Sequence, residues 1–169
     1  MRRTARIAGA IYVVTFLAGG PALSAHGAWL IIANAIATAS YVAVTLLFYK
    51  IFKPVSPRLS WLAAAFSFLG LTAGTLGLLK LPTVPFNTLV FFGVYCLLIG
   101  WLTYKSTFLP KFIGVLLAIG GIGWLTFASP ALVRLLQPYN MIPGMLGEGV
   151  LTLWLVIFGV NAERWNARN

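Results

Sequence analysis

Apolar residues in this chain do not alternate with polar ones. They run together in six stretches, at about 7–23, 29–52, 59–79, 86–104, 112–128 and 144–160, with short polar segments between. A run of about 17 to 25 apolar residues is the length that crosses a bilayer as a helix. Backbone amides in hydrocarbon must be satisfied within the segment, which leaves helices or a closed barrel. Barrel strands would alternate apolar and polar, and these runs are continuous. The pattern predicts an all-α polytopic membrane protein, six transmembrane helices in one bundle spanning 1–169, with no aqueous domain.

Composition agrees. Residues are 60% hydrophobic and 8% charged, against roughly 25% charged in soluble domains. The charges are not scattered. Arg2, Arg3 and Arg6 precede the first run, Lys50, Lys53 and Arg58 fall between the second and third, Lys105 and Lys111 between the fourth and fifth, and Arg164 and Arg168 close the chain. Only Lys80 and Arg134 lie in the other gaps. Basic residues favour the cytoplasmic side, so both termini are expected inside (N-in/C-in), in a multi-pass protein of the inner (plasma) membrane. The formal net charge of +10 then lies at anionic headgroups. Membrane lipids are the expected partners, with a membrane protein or a second copy as a further one, and nucleic acid is not.

The first run also has the form of a secretion signal, with Arg2 and Arg3 ahead of it and small residues at 22–25. It is expected to be retained as a helix. A lone cysteine, Cys96, excludes an internal disulfide and, within the fourth run, reads as a small apolar packer. Trp29, Trp61, Trp101 and Trp165 fall near run ends and read as interfacial anchors, whereas Trp124 and Trp154 lie deeper and read as packing or pocket residues.

Two inside turns are alike: Tyr49-Lys50 leads to Pro57-Arg58-Leu59, and Tyr104-Lys105 leads to Pro110-Lys111-Phe112. A duplicated hairpin would produce this, and so would the demand of any inside hairpin for Tyr, a cation and a helix-starting Pro; the second reading is preferred. Ala35, Ala39 and Ala43, and Gly70 with Gly74, recur every four residues, a spacing that lets helix backbones approach closely. Between Pro130 and Pro143 a short interfacial helix and a turn are expected.

Candidate chemistry is sparse. Glu163 sits beside Arg164 as a surface charge, which leaves Glu148, five residues into the last run and roughly 7 Å below its outer end. Intramembrane ionisable groups usually face the bundle interior with a partner. Gly144, Glu148, Thr152, Leu155 and Gly159 share one helical face, and Asn34, Thr38, Tyr41 and Thr45 form a polar stripe on the second helix. Asn34 would lie about 9 Å from the same membrane face. The stripes are expected to meet in an outward-facing polar pocket of Glu148, Asn34, Thr38, Tyr41 and Thr152, with His26, Lys80 or Arg134 as charged neighbours. A satisfied network fixing helix register is the first reading of that cluster, ligand binding the second and proton or ion handling the third.

No catalytic residue is assigned. One histidine makes neither a metal cluster nor a bis-imidazole haem site, so neither metal nor cofactor is expected. There is no phosphate-binding glycine loop ending in Lys-Ser or Lys-Thr and no Gly-x-Ser-x-Gly elbow.

The stretch Val90-Phe91-Phe92-Gly93-Val94-Tyr95-Cys96-Leu97-Leu98-Ile99-Gly100-Trp101-Leu102, with Tyr104-Lys105-Ser106, Leu109-Pro110-Lys111 and Gly114-Val115-Leu116-Leu117, resembles the bacterial membrane family called domain of unknown function 4386. Thr4-Ala5-Arg6-Ile7-Ala8-Gly9, Phe52-Lys53-Pro54-Val55, Gly147-Glu148, Leu153-Trp154-Leu155 and Gly159-Val160 fit the same resemblance. It implies a polytopic membrane protein and puts Glu148 on a family motif position. It carries no activity. This chain has shorter outer segments, at 24–28 and 80–85, than that family's pattern. The expected role is binding or moving a small amphipathic ligand or lipid, the alternative an accessory subunit of a larger membrane complex, and an enzyme ranks third.

Overall fold

Each apolar run becomes a helix where a local signal lets it start and stop. The computed structural model describes residues 1–22, 26–82, 84–85 and 87–168. Its six long helices are α1 (Arg2–Ala22), α2 (Ala28–Phe52), α3 (Pro57–Leu78), α4 (Leu89–Lys105), α5 (Lys111–Leu125) and, after the short α6 (Pro130–Leu136), α7 (Ile142–Ile157). A terminal turn, α8 (Ala162–Asn166), completes the order. No strand occurs among the described residues.

Ser56 starts α3 by accepting the Leu59 amide at 3.4 Å, with Pro57 at the first helical position. Ser129 and Pro130 do the same for α6. The fourth helix begins at Leu89 rather than 86, because the Asn87 side chain caps the Leu89 amide at 3.0 Å. The last ends at Ile157, not 160. Gly159, expected on its inward face, lies beyond it at φ 69, and a Cβ there would meet the Arg2 carbonyl oxygen at 2.9 Å. Residues 23–25, where a cleavage signal would fall, lie outside the described residues, as do Thr83 and Phe86.

Ala28–Phe52, Pro57–Leu78, Lys111–Ala128 and Tyr139–Ile157 are long and apolar enough to cross a membrane by length and composition, and Leu89–Lys105 is a shorter apolar helix. Their outer faces carry exposed Trp29, Ile31, Trp61, Leu69, Ile122 and Leu153. So much contiguous exposed apolar surface suits lipid rather than water.

The helices form a closed ring. α1 packs on α2 and α7, α7 on α5, α5 on α4, α4 on α3, and α3 on α2. The contact of α4 with α5 is the most intimate, because glycines face each other. A Cβ on Gly114 would meet the Gly100 carbonyl oxygen at 2.6 Å, and one on Gly121 would meet that of Gly93 at 2.8 Å. Small residues let membrane helices gain van der Waals contact where no hydrophobic force drives them together.

At one end of the ring the basic residues do structural work. Arg2 and Arg6 donate to the Phe158 and Val156 carbonyls at 3.1 and 2.9 Å, and Arg164 and Arg168 to those of Thr107 and Lys105 at 3.3 and 2.6 Å. Cations at helix C-termini satisfy orphan carbonyls and oppose the helix dipole. Trp165, expected as a belt anchor, instead reaches inward and donates to the Ile51 carbonyl at 2.9 Å. The N-terminus, the α4–α5 turn, the end of α2 and the C-terminal turn are thus tied together.

Candidate functional site

Glu148 stands one and a half turns into α7, on the buried side with Gly144, Gly147, Leu151, Thr152 and Leu155. Its carboxyl points into the ring. Tyr12 of α1 donates its hydroxyl to Oε2 at 2.5 Å, Trp124 of α5 its indole N–H to Oε1 at 2.9 Å, and Cys96 of α4 its thiol to Oε1 at 3.5 Å. Tyr41 of α2 extends the network, its hydroxyl 3.3 Å from that of Tyr12. Four helices therefore meet at one carboxyl, and a fifth, α2, joins through Tyr12.

Local sequence makes the meeting possible. Ala5, Ala8 and Tyr12 share the buried face of α1, and a Cβ on Gly9 would meet the Val156 nitrogen at 2.7 Å, so α1 lies directly on α7. Gly144 is one turn before Glu148. Without a side chain it makes room for Trp124, whose indole a Cβ at that position would meet at 2.3 Å. Tyr12, Tyr41 and Phe48 pack edge to face, with ring centroids 5.5 and 5.8 Å from that of Tyr12.

Above this floor a cleft of about 660 Å3 opens between α1, α2, α3 and α4. Phe16, Ile31, Leu71, Leu78, Leu89 and Phe92 supply its apolar walls, and Asn34, Thr38, Tyr41, Trp124 and Glu148 its polar points. The lining comes from the end of α1, the start of α2, the end of α3 and the start of α4, the half of the ring away from the arginine-tied end.

Of the residues expected in a pocket, Glu148, Asn34, Thr38 and Tyr41 line this one cleft. Asn34 donates to its own helix, at the Leu30 carbonyl, 2.8 Å away. Thr152 is buried and donates to the Glu148 carbonyl at 2.7 Å, one turn back along α7, and is not part of the lining. Thr45 turns to α3 instead, 2.6 Å from the Ser67 hydroxyl. His26, Lys80 and Arg134 are exposed, and among the described residues the side chains hydrogen-bonded to Glu148 are all neutral.

Two of these three partners are not legible in the sequence as partners of Glu148, and the third is legible in part. Cys96 bonds the carboxyl rather than only packing. Tyr12 has one usable signal in the sequence, its place one turn beyond Ala8 on a small-residue face. Trp124, expected as a packing or pocket residue, does both. Asn140, between α6 and α7, is buried and donates to the Thr126 hydroxyl at 2.9 Å.

The chain matches the family described as Domain of unknown function (DUF4386) over residues 27–87 and 86–159. It belongs to that family. Within DUF4386 the matched residues include Asn34, Thr38, Tyr41, Cys96, Trp124 and Glu148, while Tyr12 lies ahead of them. A relative described as an uncharacterized protein, from Archaeoglobus fulgidus, is 32% identical over 127 residues, 70% of this chain and 76% of its own length. No solved structure matches the chain significantly.

Proposed function

We propose that this DUF4386 protein crosses the inner (plasma) membrane six times with both termini in the cytoplasm, and that it binds or moves a small amphipathic ligand or lipid in its outward-facing cleft. The observation that carries the reading is the cleft itself: about 660 Å3, apolar walls, a few polar points and one carboxyl at its floor. Ligand sites are concave and mostly apolar with a small number of placed polar groups, and they range over about 300–1,000 Å3. A network serving helix register alone has no need of an adjoining cavity.

The topology rests on charge. The residues tied together at one end of the ring include Arg2, Arg6, Arg164 and Arg168, and basic residues mark the cytoplasmic side. All six long helices then span, α1 with its arginines at the inner headgroups.

Native mass spectrometry in mild detergent tests the reading. The unaltered protein is expected to retain a lipid or other amphiphile, and Thr38→Trp, which puts an indole into the cleft, to retain less of it. Equal retention by both would overturn the cleft as the site. A stoichiometric protein partner with no bound amphiphile would favour the accessory-subunit reading.

A further inference from the structure

The cleft has an electrostatic sign. Among the described residues that line it there is a carboxyl and no lysine, arginine or histidine. The carboxyl's three partners, Tyr12, Trp124 and Cys96, are all donors, the arrangement an acceptor-only carboxylate takes. None of them brings a positive charge. An intramembrane carboxylate without a counter-ion is expensive, and the side of it that protein does not cover faces the cleft.

The rest of the lining suits a cation that is itself apolar. Phe16, Tyr41, Phe92 and Trp124 put four aromatic rings on the cleft with Glu148. A cation within about 6 Å of such a ring centroid is attracted to its face, by about 2 kcal/mol or more when desolvated. An anionic ligand would meet the carboxyl and no compensating charge. A neutral one would leave the carboxyl unanswered.

We propose that the cleft selects lipophilic organic cations, Glu148 supplying the counter-charge and the aromatic rings the remaining contacts. This rests on the reading that the cleft holds an amphipathic molecule, and it names the chemical class.

The test uses the whole protein in phosphatidylcholine nanodiscs, with empty discs as the blank, and two probes. One is radiolabelled tetraphenylphosphonium, a permanent cation, followed by equilibrium dialysis. The other is the neutral fluorophore N-phenyl-1-naphthylamine. Both should bind saturably, and tetraphenylphosphonium should displace the naphthylamine from the unaltered protein. Glu148→Gln, which keeps shape and an acceptor, should weaken the cation by roughly tenfold or more while changing the neutral probe less than about twofold; Thr38→Trp should cut both. Saturable naphthylamine binding that tetraphenylphosphonium does not displace would overturn cation selectivity and leave the cleft reading standing, and this arm needs no variant to fold. Cation binding undiminished in a folded Glu148→Gln would do the same. Binding of neither probe would remove the cleft reading itself.

Discussion

Replacing Tyr12 with phenylalanine removes one oxygen and leaves Glu148 Oε2 without the hydroxyl that stands 2.5 Å away. An unsatisfied buried group costs about 1–3 kcal/mol, and hydrogen bonds between membrane helices run to the lower end of that scale. Thermal unfolding in detergent should therefore fall for Tyr12→Phe by an amount equivalent to about 1 kcal/mol. Cys96→Ala should do less, since a thiol is a weak donor. At Glu148 itself, leucine should destabilise more than glutamine, because the glutamine carbonyl can still accept from Trp124 and its amide NH2 can donate to the Tyr12 hydroxyl oxygen. Equal melting of wild type, Glu148→Gln and Glu148→Leu would contradict a structural share for the carboxyl. Gly144→Ala probes the same cluster from beneath: its Cβ would lie 2.3 Å from the Trp124 indole, so it should displace Trp124 and blue-shift or broaden its emission, measured with the other tryptophans replaced.

Between helices, fit is decided by glycines, and they are not equivalent. A Cβ on Gly114 would meet backbone of Gly100 and Tyr104, each at 2.6 Å, and backbone cannot step aside. Overpacking of this kind costs about 1–3 kcal/mol, so Gly114→Ala should lower the melting point clearly. Gly149, on the same scaffold, has nothing within 4 Å of such a Cβ. Gly149→Ala should be neutral or stabilising by up to about 1 kcal/mol; the reverse ranking would contradict the α4–α5 packing. Helices were legible in the sequence because each is written as a continuous apolar run of about the length that crosses a bilayer. Their ends were less so, since a cap such as Asn87 at α4 or a left-handed Gly159 after α7 is a local choice that hydropathy does not register. The floor of the cleft was half legible. Glu148, Asn34, Thr38 and Tyr41 are polar residues within apolar runs and announce themselves, whereas Tyr12 reads as an ordinary aromatic residue until α1 is laid against α7, and Trp124 is marked for packing or a pocket without its partner being named.

For the whole molecule, the proposed orientation makes a prediction at positions whose side chains are free to react. Thr107 is exposed at the arginine-tied end and Gln137 in the connection between α6 and α7, whereas Asn140, in the same connection, is buried and unsuitable. In a Cys96→Ala background, a cysteine at Gln137 should be labelled on intact cells by an impermeant maleimide, and one at Thr107 only after permeabilisation. The opposite pattern would invert the topology. Neutralising Lys50, Lys53 and Arg58 together should weaken it without reversing it, because seven basic residues remain on that side.

The central claim is that the polar floor lies in a cleft open to the outside, and Thr38 is the position that reports on it. In the Cys96→Ala background, Thr38→Cys should react on intact cells with the impermeant cation 2-(trimethylammonium)ethyl methanethiosulfonate. Pre-incubation with tetraphenylphosphonium should slow that reaction. A Thr38→Cys protein that is folded but inert from outside, or that reacts only after permeabilisation, would contradict the account.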